Sequence, residues 1–207
     1  MTSRIVLEKR GSRKRRRKPI FVIVAEGKNK TESLYFMSFQ NQESPYVIKM
    51  VKAGKKTDPK SLVETAEKAW TDNDMDKELG DHAFVVVDID NDPEAAKKVA
   101  SIQCKLKHAE IIASNPCFEV WFLMHFTGST KQFMTSDATV KELKKYIKDY
   151  EKNKNVFKVL EGKTATAINN AEKINKKYAD EKANWISTDC NPRTDVVEVV
   201  KRLVKKD

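Results

Sequence analysis

Short, fully apolar runs alternate with amphipathic stretches through the first 126 residues of the chain. Ile20-Phe21-Val22-Ile23-Val24-Ala25 and Ala83-Phe84-Val85-Val86-Val87 are unbroken and rich in β-branched residues, the pattern of a strand buried on both faces. Ile111 and Ile112 mark a third such run over 109–113. Tyr46-Val47-Ile48-Lys49-Met50-Val51 is amphipathic and reads as a strand nearer an edge. Between these runs the apolar residues recur at helical spacing. Leu34, Tyr35, Phe36, Met37 and Phe39 predict one helix, and Leu62, Ala66, Ala69 and Trp70 predict another over 61–77. Pro93, with Ala96 and Val99, opens a third, and Val120 to Phe126 form a fourth. Four strands joined by helices predict an α/β class fold, a Rossmann-like parallel sheet with right-handed crossovers.

Beyond Thr127-Gly128-Ser129 the strand pattern stops. Thr139 and Glu142 match a capping box, with Val140, Leu143, Ile147 and Tyr150 at helical spacing behind it. Ile168, Ala171, Ile174 and Tyr178 form a second stripe, and Val196, Val199, Val200 and Leu203 a third. The expected organisation is a basic flexible N-terminal tail (1–18), an α/β domain (19–128) and a helical C-terminal extension packed on it (129–207).

Charge sharpens the first boundary. The chain of 207 residues carries a formal charge of +10, but residues 1–18 hold +8 of it and the remainder only +2. Arg13, Lys14, Arg15, Arg16, Arg17 and Lys18 repel one another, which predicts a flexible arm. Such an arm serves either as a salt-sensitive phosphate-binding element or as a solvated leader. No apolar segment follows it as in a secretory signal, and no apolar stretch is long enough to span a membrane. Three widely spaced cysteines point to a reducing, cytoplasmic setting.

The strand ends carry the chemistry. Asp88, Asp90 and Asp92 follow the central apolar run at every second position. Burying unpaired carboxylates is costly, so the strand must run out at the carboxyl edge of the sheet, where open α/β folds keep their ligand crevices. The first strand likewise ends in Glu26-Gly27, with Lys28 beside it, and the fourth in Ser114-Asn115. Asn115 is the expected cap of the following helix, with Glu119 in its first turn. Asn29 and Glu32 fit a capping box, which assigns Glu32 to helix capping. Clustered hard oxygens suit Mg²⁺ or Mn²⁺.

Three elements in order, Ala25-Glu26-Gly27 with Thr31-Glu32, Val87-Asp88-Ile89-Asp90, and Asn115-Pro116-Cys117-Phe118-Glu119-Val120-Trp121, resemble the RloB family. The first two also resemble the Toprim domain of topoisomerases, primases and OLD-family nucleases. The resemblance implies a Toprim fold and Mg²⁺- or Mn²⁺-dependent phosphodiester chemistry on RNA (tRNA included) or DNA. It implies Glu26 as acid/base or metal ligand, Asp88 and Asp90 as metal ligands, and Asp92 or Glu119 as further acids. Lys28 and the basic arm would contact nucleic acid. It further implies a role in antiphage, abortive-infection defence beside an AAA/ABC-type ATPase. The rival expectation is a non-catalytic nucleic-acid-binding subunit of such a complex.

Overall fold

The computed structural model describes residues 17–26, 31–54, 58–181, 183 and 186–205. Its centre is a sheet in the order β2-β1-β3-β4-β5. The strands are β1 (Ile20–Ala25), β2 (Val47–Lys52), β3 (His82–Asp88), β4 (Ala109–Asn115) and β5 (Arg193–Thr194). The first four are parallel. The fifth, two residues long and antiparallel to β4, had no sequence signal, because two residues cannot show a period.

Alternate residues of each strand enter two separate cores. Phe21, Ile23, Phe84, Val86 and Ile112 pack on one face with α1 (Thr31–Met37), α4 (Glu119–Met124), α7 (Thr164–Asp180) and α8 (Val196–Val204). Val22, Val24, Val85, Val87 and Ile111 face α2 (Pro59–Asp72) and α3 (Pro93–Gln103). Two covered faces explain why the runs are apolar at every position rather than every second one. The C-terminal helices complete the first core: α7 packs on α4 and α8, and α8 on β4. None of the described helices is long and apolar enough to cross a membrane.

Several expected boundaries move. The helix expected over 61–77 is α2, which stops at Asp72. Asn73 Nδ2 donates to the Ala69 carbonyl, and Asp74 adopts φ 45°, a left-handed residue that ends a helix. The expected cap at Thr139 is instead Thr135, whose hydroxyl accepts from Ala138 N–H at 3.1 Å. That helix, α5 (Ser136–Leu143), gives way to turns before Tyr150, although Leu143 and Tyr150 are both buried as the stripe requires. Asn115 does not cap α4, since β4 continues through it and α4 starts at Glu119 with no side-chain cap.

The arm also loses two residues to the folded body. Arg17, expected in the flexible tail, pairs with Asp81, whose side chain is fully enclosed and needs a counter-charge. Lys18 donates to the Ser44 carbonyl at 2.6 Å. Arg13, Lys14, Arg15 and Arg16 lie outside the described residues, as do Gly27, Lys28 and Asn29.

Candidate functional site

The parallel register brings the polar strand ends to one edge. Asp88 is the last residue of β3 and pairs with Ser114 of β4. The ladder continues one residue further, Ile89 N–H donating to Ser114 O at 2.9 Å. The chain then turns sharply through Asp90 (φ 52°) and Asn91 (φ 57°). Two consecutive left-handed residues without glycine are unusual, and Asp and Asn are the side chains that tolerate them best. The turn is pinned by Asp90 N–H to Pro116 O at 2.8 Å and Asn91 N–H to Asn115 Oδ1 at 3.0 Å. Asp90 is exposed, and Ser136 Oγ donates to its Oδ1. Glu26 follows directly on β1 and is exposed. Asp92 is used differently, as the cap of α3, where it accepts from Glu94 N–H at 2.9 Å. That contact gives its carboxylate a structural role, which the alternating Asp pattern did not separate from a ligand role.

Two further carboxylates reach the cluster from helices. Glu119, at the start of α4, is 2% exposed. Its Oε1 accepts from Tyr150 O–H at 2.9 Å and lies 3.7 Å from Lys152 Nζ. Glu32, in α1, is 5% exposed, and its Oε2 has no hydrogen-bond partner among the described residues. It shares a helix face with Tyr35 and Phe36, three and four residues on, both buried. That spacing was a readable sign that Glu32 points inward, and the capping reading passed over it. Thr31 donates to the carbonyl of Lys152, so the segment around 150–152 lies against α1 and the acids. Nothing in the sequence set Lys152 apart from its neighbouring lysines, and Tyr150 read only as part of an apolar stripe.

The electrostatics are those of crowded like charges. Asp88 Oδ1 is shut off from solvent and has no hydrogen-bond partner among the described residues, although the residue as a whole is only partly enclosed. Burial pushes its carboxyl well above the usual range, and Glu32, Glu119, Asp90 and Glu26 push it further. Burial likewise raises Glu32 to about 7, reinforced by Glu119 and Glu26 and opposed by its own backbone and Lys152. The thiol of Cys117, wholly buried beside Glu119 and Asp88, is driven up by burial first and by those two charges next. Burial acts to lower Lys152, but Glu119, Asp88 and Asp90 outweigh it and hold the ammonium above its ordinary value. These couplings bring Glu26, Glu32, Asp88, Asp90 and Glu119 into one electrostatic cluster. Among the described residues, no three His, Cys, Asp or Glu side chains are grouped closely enough to hold a metal ion as they stand.

A parallel α/β sheet with four covered strands, acids at its carboxyl edge and a helical extension over one face defines a protein of the open α/β class with a polar crevice at its strand ends. The chain belongs to the RloB-like family: the family model described as RloB-like protein matches residues 21–203. No curated protein and no solved structure gives a match.

Proposed function

We propose that the protein is a Mg²⁺- or Mn²⁺-dependent phosphodiesterase that cuts RNA or DNA. The supporting observation is a pair of buried carboxylate oxygens, Asp88 Oδ1 and Glu32 Oε2, that face no donor among the described residues inside a cluster of like charge. An unpaired buried carboxylate costs several kcal/mol, on the order of the penalty for any buried ion, unless a cation or proton answers it. Hard oxygens of this kind fit Mg²⁺ or Mn²⁺. Glu26, Asp88 and Asp90 are the residues that would hold the ion, with Glu119 and Glu32 around them. When bound, such an ion stabilises negative charge developing on a phosphate and lowers the pKa of a water.

The chain's own groups do the rest. Glu32, poised near neutrality, is suited to hold a proton at its carboxyl and pass it to or from an oxygen in the crevice. Lys152 brings a firmly protonated ammonium to the same place, where a phosphate needs charge compensation. Tyr150 fixes one oxygen of Glu119 and so its orientation. The role in antiphage defence and the AAA/ABC-type ATPase partner are part of this proposal and rest on the family resemblance, and the cytoplasmic setting is part of it on the three widely spaced cysteines. Arg13 to Arg16 and Lys28 would add phosphate contacts.

The test is cleavage of tRNA, single-stranded RNA and plasmid DNA with Mg²⁺, Mn²⁺ or EDTA, by wild type and Asp88→Ala. Metal-dependent cutting that disappears in the variant is the expected result and names the substrate class. Equal cutting by Asp88→Ala refutes the site. No cutting by wild type, alone or with the neighbouring ATPase, favours a non-catalytic binding subunit.

A further inference from the structure

We propose that Asn191 is a positioning residue for the Asp90–Asn91 turn, an assignment that rests on reading the turn as metal-binding. Asn191 belongs to the C-terminal region, two residues before β5, and is 2% exposed. Its Nδ2 donates to Asn91 Oδ1 at 3.2 Å and to Phe133 O at 2.7 Å, and its Oδ1 accepts from Phe133 N–H at 3.1 Å. Both amide donors and the oxygen are in use, so the side chain is held in one orientation.

The contact to Asn91 closes a ring. Asn91 N–H donates to Asn115 Oδ1, and Asn115 Nδ2 donates to Cys190 O at 3.1 Å. Cys190 is bonded to Asn191, whose amide returns to Asn91. Three asparagines from separate parts of the chain thus fix the one turn that carries Asp90. Asn191 acts on Asp90 by a second route as well. The backbone it grips at Phe133 leads within three residues to Ser136, the donor to Asp90 Oδ1. A left-handed residue redirects the chain, so release at Asn91 would swing the neighbouring carboxylate. Groups that orient metal ligands change metal affinity about 10- to 100-fold when removed, although they never touch the ion.

The test uses full-length protein with N191A, with N91G, and with both substitutions. Glycine accepts the left-handed backbone, so N91G removes the acceptor without adding strain. Amide hydrogen exchange over residues 88–92 is followed without metal, and Mn²⁺ affinity by electron paramagnetic resonance. Each single variant should speed exchange over these residues and weaken Mn²⁺ about 10-fold or more. The double variant should be no worse than N191A alone, because the bond that N91G deletes is one of those that N191A deletes. Wild-type exchange and affinity in a folded N191A, or additive losses in the double variant, overturn the assignment. Should N191A not fold, N91G decides alone, and unchanged exchange there rejects it. A wild type that binds no Mn²⁺ overturns the metal reading and with it any part for Asn191 in ion binding, while the exchange rates still accept or reject the strap itself.

Discussion

Replacing Glu32 with glutamine should stabilise the metal-free protein at pH 8 and do nothing comparable at pH 4.5. The wild-type carboxyl is raised from 4.5 to about 7, with burial as the main cause. Its folded-state pKa lies above its unfolded value, so between those two values the folded chain holds the extra proton. Stability therefore falls as pH rises through that window and stays low above it. The rise from 4.5 to about 7, at about 1.4 kcal/mol for each pH unit, sets the full penalty at about 3.5 kcal/mol, of which about the last half kcal/mol appears only below pH 4.5. Glutamine carries no charge to bury and avoids that penalty. Its amide still faces whatever packing mismatch the change creates, but that cost is the same at both pH values and cancels in the difference. Asp88 adds to the effect in the same direction, because the charge of Glu32 is the largest cause after burial of its own raised value. Urea unfolding of wild type and E32Q in chelator, at half-unit steps from pH 4.5 to 8.5, measures the difference. The advantage of E32Q should grow by about 3 kcal/mol across the series. A flat difference would mean that Glu32 is solvated and the cluster is not electrostatically strained.

Three other substitutions probe neighbouring claims. D88N should abolish metal-dependent cleavage and, in chelator at pH 8, raise the urea midpoint, since it removes a charge whose Oδ1 has no partner among the described residues; cleavage at the wild-type rate would refute the assignment. Y150F removes the donor to a carboxylate that is 2% exposed, leaving Lys152 at 3.7 Å, and should cost about 1.5–3 kcal/mol in the same unfolding assay. R17A should destabilise by about 1–2 kcal/mol, less than for a fully buried pair, because Arg17 is partly exposed and Asp81 keeps the N–H donors of Ile20 and Asp76; an unchanged midpoint would return Arg17 to the flexible arm.

The strands were legible because burial on both faces forces apolar residues at every position, as in Phe84 to Val87. The edge on which Glu26, Asp88 and Asp90 emerge was legible for a related reason, since parallel strands share one carboxyl end. What the sequence concealed depends on contacts distant along the chain. Asn115 looked like a helix cap, yet its oxygen is claimed by Asn91, 24 residues earlier in the chain. Tyr150 and Lys152 reach Glu119 across 31 and 33 positions, from a stretch whose pattern announces only a helix. Asp92 and Glu32 form a paired lesson. Each sits near a helix start, where capping and ligation use the same side chains. Asp92 caps α3, while Glu32 faces inward, and only the burial of Tyr35 and Phe36 on its own face distinguishes them.

The proposed metal chemistry and the raised carboxyls are two consequences of one arrangement, and together they set a pH dependence. Each proton that the cluster holds must leave before an ion takes its place, so protons and Mn²⁺ compete. Glu32 holds its proton up to about pH 7, and Asp88 is held well above its ordinary range. Mn²⁺ affinity should therefore climb between pH 5.5 and 7.5, by up to about tenfold per pH unit for each proton displaced. A site built of exposed carboxylates would already be ionised near pH 5 and would show little slope there. E32Q supplies the internal control: with no proton to release at that position, its slope should fall by about one proton relative to wild type. Isothermal titration in buffers of different ionisation enthalpy counts the protons directly. An affinity that is level from pH 5.5 to 7.5, and equally level in E32Q, would show that the raised carboxyls and the ion do not share a site.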